Sequence, residues 1–264
     1  MVKDTEMTDA DKSKPKEEEK KEVKEESKPP IPPLISSARR LERLLGGGVS
    51  NNGKEKENGG MTGNNGSYTY TNPAKVVRRW LGTSSGAAGE AKADDVKTAA
   101  AELLDPKGPC AQGRSLLLSE EPSISDTEPT YLDMAAAREV ESWLISLAVR
   151  ILYKDGNHKE AFDLAQHGIN IIMGHLDASS SALFPLLSRM FRLRALTAES
   201  LDDPVVLSNL RVDMAQAHNM ASLRRDVDTQ ATVLNCMLRD LLRQTQGMWL
   251  RVLCNFCVVS YSAL

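Results

Sequence analysis

Beyond about residue 131, apolar positions recur at steps of three and four, the period of one helix face. Val140, Trp143, Leu144, Leu147, Ala148, Ile151 and Leu152 form one such stripe. Asp133 is placed to cap its start, and Asp155-Gly156-Asn157 supplies turn residues to close it. A second stripe follows from His158, through Ala161, Leu164, Ala165, Gly168, Ile169, Ile172 and Leu176. Its small residues beside large ones predict a close helix-to-helix approach, and the short joint makes the pair antiparallel. A third helix is predicted over 181–200, with Leu183, Leu186, Leu187, Met190, Phe191 and Leu196. Asp202-Asp203-Pro204 then breaks the chain and restarts a helix with proline in its first turn, followed by Leu207, Leu210, Met214 and Ala217. Asp226 or Asp228 is placed to cap the next, continued by Val233, Leu234, Met237, Leu238, Leu241 and Leu242. Neither hairpin dipeptides nor period-two alternation occur in this stretch.

The first half reads differently. Residues 1–28 are almost all Lys, Glu, Asp and Ser, too polar to offset chain entropy by burial, so disorder is expected. Pro29-Pro30-Ile31-Pro32-Pro33 reads as polyproline II acting as a stiff linker. A short helix is expected from Ser36 to Leu45, capped by Ser36 or Ser37, with Leu41, Leu44 and Leu45 on one face and Gly46-Gly47-Gly48 as its stop. Val49 to Thr71 is a Gly/Asn/Ser-rich insert. Pro73 opens a second short helix with Val76, Val77, Trp80 and Leu81; a Gly/Ser/Ala stretch follows, and Asp94 to Leu104 makes a third helix ended before Pro106. The organisation is thus a charged, Pro-rich tail (1–35), short helices between linkers (36–130), a helical-repeat array (131–243) and an apolar tail (244–264). The fold class is all-α, a TPR-like helical-repeat solenoid behind a long disordered N-terminal region. Each helix pair needs a neighbour to bury its apolar face, and such arrays present extended protein-binding surfaces.

Composition narrows the function. The net charge of −3 in 264 residues gives no dense basic face for nucleic acid. The opening Met1-Val2-Lys3-Asp4 lacks the apolar core of a secretory signal. Four scattered cysteines, Cys110, Cys236, Cys254 and Cys257, fit a reducing compartment rather than a disulfide framework.

Candidate chemistry is sparse. Gly46-Gly47-Gly48 and Gly86-Ala87-Ala88-Gly89 lack the ending and the strand-to-helix context of a phosphate loop. Cys254 and Cys257 form a C-x-x-C pair without a second ligand pair, so they read as incidental thiols. The apolar run around them is of minimal length for a membrane span and is broken by Arg251, Asn255 and Ser260, so no membrane partner is expected. His158, His167, His175 and His218 share no ligand spacing. Glu139 with Glu141, and Glu199 with Asp202, read as acidic pairs on helix surfaces rather than as acid/base machinery. Arg189, Arg192, Arg194, Arg224 and Arg225 read as solvated, with an acidic partner as the alternative. No nucleophile elbow or kinase signature is present. No catalytic, metal or cofactor site and no small-molecule substrate is expected.

The most specific segment is Leu223-Arg224-Arg225-Asp226, continuing through Gln230-Ala231-Thr232 and Leu234-Asn235 to Leu238-Arg239. It resembles a helix–turn–helix junction of the family of 26S proteasome regulatory-particle non-ATPase subunit 3. Glu139-Val140-Glu141 and Lys159-Glu160-Ala161 are similar to its upstream helices. The resemblance covers about 139–243, and Leu223, Arg224, Asp226, Gln230, Ala231, Thr232, Leu234, Asn235, Leu238 and Arg239 are the family-signature interface or packing residues that it implies. It further implies a PCI-type protein in which a helical array precedes a winged helix. The implied role is a non-catalytic scaffold of the proteasome lid in ubiquitin-dependent degradation, located in cytoplasm and nucleus. Its partners would be other regulatory-particle subunits, without cofactor. The alternative is a scaffold of another PCI complex, a signalosome or translation-initiation complex. Residues 244–264 depart from the family pattern, which points to a truncated or misread gene model.

Overall fold

The computed structural model describes residues 32–46, 72–118, 130–176 and 181–261, with side chains as far as 245 except at 135. The charged tail and the 49–71 insert fall outside these residues. In chain order the helices are α1 (Pro33–Gly46), α2 (Pro73–Thr83), α3 (Ser85–Glu90), α4 (Ala93–Leu103), α5 (Ala111–Leu117), α6 (Met134–Lys154), α7 (His158–Leu176), α8 (Phe184–Leu201), α9 (Pro204–Leu223) and α10 (Val227–Tyr261), with a 3-10 turn at Ser181–Leu183. Among the described residues there is no strand. No helix among them is long and apolar enough to cross a membrane.

The long helices begin and end where the sequence marks them. Asp133 Oδ1 accepts from the Met134 amide at 2.8 Å and starts α6. Its end is a Schellman turn. The Asn157 amide donates to the Leu152 carbonyl at 3.0 Å, the Gly156 amide donates to Tyr153 at 3.3 Å, and Gly156 takes φ +83, a left-handed geometry open to glycine. Asp203 Oδ1 accepts from Val205 at 2.8 Å behind Pro204 and starts α9.

Three elements of the first half depart from expectation. Helix α1 opens at Pro33, so this proline is the pre-set first helical residue rather than part of a polyproline segment. Ser36 is inside the first turn, its hydroxyl donating to the Pro33 carbonyl at 2.9 Å, and does not cap. The buried face of α1 is Leu34, Ile35, Ala38 and Leu41, whereas Leu44 is exposed. The Gly/Ser/Ala stretch is helical as α3, with Ala88 buried. Helix α5 has no apolar periodicity long enough to announce it.

These short helices close around α6. Helices α1, α4, α5, α7 and α8 all pack on it, and every residue from Glu139 to Leu147 is buried. Trp80 of α2 meets Trp143 of α6 edge to face at 4.9 Å, while its indole donates to the Ser37 carbonyl of α1 at 2.8 Å. Glu42 Oε1 accepts from the Asp133 amide at 2.9 Å and ties α1 to the start of α6. Glu139 and Glu141, expected on the helix surface, are therefore inside. The apolar periodicity of α6 described only the side facing α7 and α8, and the short helices that cover its polar side are distant in sequence and carried no sign of where they would pack.

Helix α7 lies between α6 and α8. A methyl group at Gly168 would stand 2.4 Å from Met190 Cε of α8 and 2.8 Å from Ile145 Cγ2 of α6, so absence of a side chain there sets the spacing of all three. Gly168→Val is expected to cost about 1–3 kcal/mol, the range for overpacking a filled core. A lowered urea midpoint at unchanged slope would register it; an unchanged midpoint would mean that these helices spread freely.

Candidate interaction surface

The junction of α9 and α10 carries the densest cluster of expected signature residues. Helix α9 ends as α6 does. The Asp226 amide donates to the Ala221 carbonyl at 2.9 Å and the Arg225 amide to Ser222 at 3.2 Å. The left-handed residue here is Arg225, at φ 56, a geometry that costs a side-chain-bearing residue about 1–2 kcal/mol. Asp226 then serves the next helix: its Oδ1 accepts from the Thr229 amide at 3.0 Å. Of the two aspartates considered for this cap, Asp226 is the one used, and Asp228 instead pairs with Arg78 of α2 at 2.7 Å. Burial pushes the Asp226 carboxyl above its ordinary range, against the opposing pull of its hydrogen bonds with Thr229. Arg224 reaches back to α7, its Nη1 4.0 Å from Met173 Sδ.

Helix α10 packs on α8 and α9 and divides the remaining signature residues by face. Val233 is buried, with Cys236 and Met237 partly so, on the inner side. Thr232, Asn235 and Arg239 line a groove against Arg192 and Glu199 of α8. There Arg239 pairs with Glu199 at 2.8 Å, Arg243 with Asp202 at 2.7 Å, and on the other flank Arg211 of α9 with Asp240 at 2.6 Å. Gln230 is half-buried and Ala231 exposed. The outer side is apolar: Val227 is 69% exposed, Leu234 44%, Leu238 57%, Leu241 55% and Leu242 63%, with Leu223 at the junction 88%. The signature residues are thus not one patch but a cap, a groove wall and an outer row.

Val227, Leu241 and Leu242 belong to that outer row without being in the expected set. The signal for them is in the sequence. The adjacent pairs Val233-Leu234, Met237-Leu238 and Leu241-Leu242 are too wide for one stripe and place apolar groups on two sides of one helix. The arginines also divide. Arg194 is buried, paired with Asp213 of α9 and stacked 5.2 Å over the Phe162 ring, whereas Arg189 and Arg192 are exposed.

A second cluster is buried and polar. Glu141 Oε2 is 2.8 Å from His175 Nε2 at the end of α7, and Oε1 accepts from the Gly113 amide of α5 at 2.9 Å. Cys110 is also buried there. The Sγ, carboxylate oxygen and imidazole nitrogen of Cys110, Glu141 and His175 all lie within 4.8 Å of one another, the one such group among the described residues. Sequence spacing hid it, because the three residues come from three different elements.

Residues 97–248 match a family model described as PSMD3-like, N-terminal TPR repeats. The match spans more than half of the chain, and the chain belongs to this family, a proteasome lid-type family of helical-repeat scaffolds. No curated protein matches the chain.

Two outcomes follow for the junction. Asp226→Ala is expected to lose about 1–2 kcal/mol, the cost of a lost helix cap, while Asp226→Asn, which also caps, keeps most of it; urea denaturation at one pH separates them. Because the folded carboxyl titrates above its unfolded value of 3.8, the stability it contributes is greatest at low pH and declines as pH rises through the folded value. Asp226→Asn, which cannot ionise, should gain on the parent chain as pH rises above about 4; a difference that stays constant with pH would contradict the buried charge.

Proposed function

We propose that this member of the PSMD3-like family is a non-catalytic scaffold of the proteasome regulatory lid that acts in ubiquitin-dependent protein degradation by binding neighbouring lid subunits. The observation that carries this is the outer row of α10. Exposed large apolar residues in one line are what a soluble protein keeps for a partner. The row stands on a helix held in place, since ion pairs of Arg78, Arg211, Arg239 and Arg243 tie it to α2, to α9 and to α8 with its C-terminal end. Each exposed ion pair adds at most about 1 kcal/mol, but together they fix which face of α10 looks outward. A subunit of that assembly would be found in cytoplasm and nucleus.

The buried centre of an interface carries most of its energy, and losing an anchor there costs about 2 kcal/mol or more. Tagged full-length chain, purified under conditions that keep the proteasome assembled, should bring down lid subunits identified by mass spectrometry. Leu234→Glu with Leu238→Glu should cut that recovery by roughly thirtyfold or more, 2 kcal/mol being about that factor, with unchanged circular dichroism. Recovery of signalosome or translation-initiation subunits instead, or full recovery by the double variant, would overturn the proposal.

A further inference from the structure

We propose that Cys110, Glu141 and His175 form a divalent transition-metal site, best suited to zinc, which joins the loop before α5 to α6 and α7. The donor set is thiolate sulfur, imidazole nitrogen and carboxylate oxygen, each of which zinc takes at about 2.0–2.3 Å. One ion at those lengths requires its ligand atoms to lie about 3.3–3.8 Å apart in a tetrahedral arrangement. The three atoms here lie within 4.8 Å of one another, and the closest measured pair, His175 to Glu141, is at 2.8 Å. Side-chain adjustments of about an ångström turn the group into a three-ligand site.

The surroundings favour a cation. Glu141 is 0% exposed and Cys110 1%. A bound zinc ion would take the place of the thiol proton and hold the thiolate beside the Glu141 carboxylate. A second buried carboxylate, Glu139, has an oxygen with no hydrogen-bond partner. The backbone is shaped for the approach as well. A methyl group at Gly113 would stand 2.0 Å from Glu141 Oε1, so the glycine leaves space for the carboxylate, and its amide fixes one oxygen while the other faces His175. Binding would release the thiol proton to solvent, and no redox change is involved.

The test uses the full chain with Cys254 and Cys257 changed to serine, which removes the C-x-x-C pair. Metal is stripped with a chelator and cobalt(II) is titrated in, followed by zinc. A thiolate-to-cobalt charge-transfer band with tetrahedral d–d absorption is expected, abolished by one equivalent of zinc. Cys110→Ser should remove the charge-transfer band, and His175→Gln should weaken binding at least tenfold. Cys236→Ser should leave both unchanged, and zinc should raise the melting temperature of the parent chain but not of Cys110→Ser. Absence of the band, or a band that survives Cys110→Ser, would overturn the site and leave a His175–Glu141 hydrogen bond in its place. Should Cys110→Ser fail to fold, X-ray absorption of the cobalt-loaded parent decides: one sulfur ligand supports the site, and nitrogen and oxygen ligands alone reject it.

Discussion

Helix α6 is enclosed from Glu139 to Leu147, and that enclosure governs the rest of the molecule. A helix that offers one apolar stripe can rest on a partner and leave its other side in water. Here the other side carries Glu139, Glu141, Ser142 and Ser146, all buried, and buried polar groups must find partners or cost stability. The serines bond back into their own helix, Ser142 to the Arg138 carbonyl at 2.8 Å and Ser146 to Trp143 at 2.7 Å. Glu141 cannot do so, and recruits Gly113 and His175. Burial of α6 thus creates both the core and the polar cluster within it.

The array beyond α6 is built by repetition of one local device. A left-handed residue ends one helix, and the residue after it donates back into that helix, so that the chain reverses and the two helices pack side by side. Gly156 and Asn157 do this after α6; Arg225 and Asp226 do it after α9. In both turns the last of these residues also accepts the first bond of the following helix, from Ala161 to the Asn157 carbonyl at 3.0 Å and from Gln230 to the Asp226 carbonyl at 3.1 Å. The spacing between helices is then left to side-chain size, and Gly168, with Ala161 and Ala165 on the same helix, brings α7 close to α6 and α8.

How much of this was legible follows from the range of each interaction. Caps, turns and proline starts act over four residues, and Asp133, Gly156 and Pro204 could be read from the chain, while the cap of α10 was narrowed to Asp226 or Asp228. The apolar face of α7 was legible because Ala161, Ala165, Gly168 and Ile172 keep one period and are all buried. What could not be read was closure over distance. The pattern of α6 gave no sign that α1, α4 and α5 would cover its far side, and so its glutamates read as surface groups. Cys110, Glu141 and His175 meet only through that closure. The two-sided character of α10 was present in adjacent apolar pairs, but apolar positions alone did not say which of each pair a neighbour would cover.

The two ends of the repeat region differ in a way that bears on function. On the side of α6 away from α7 and α8, short helices seal the core, and the described residues leave few large apolar groups exposed there. On the side of α10 away from α8 and α9, Leu234, Leu238, Leu241 and Leu242 remain in solvent. Stacked helix pairs bury their faces only against a neighbour, so a sealed end and an open one give the array a direction of assembly. The ion pairs that hold α10 lie on its flanks and leave its outer row uncovered. Charge thus orients the helix while apolar area stays uncovered, a division that fits membership of a helical-repeat scaffold family.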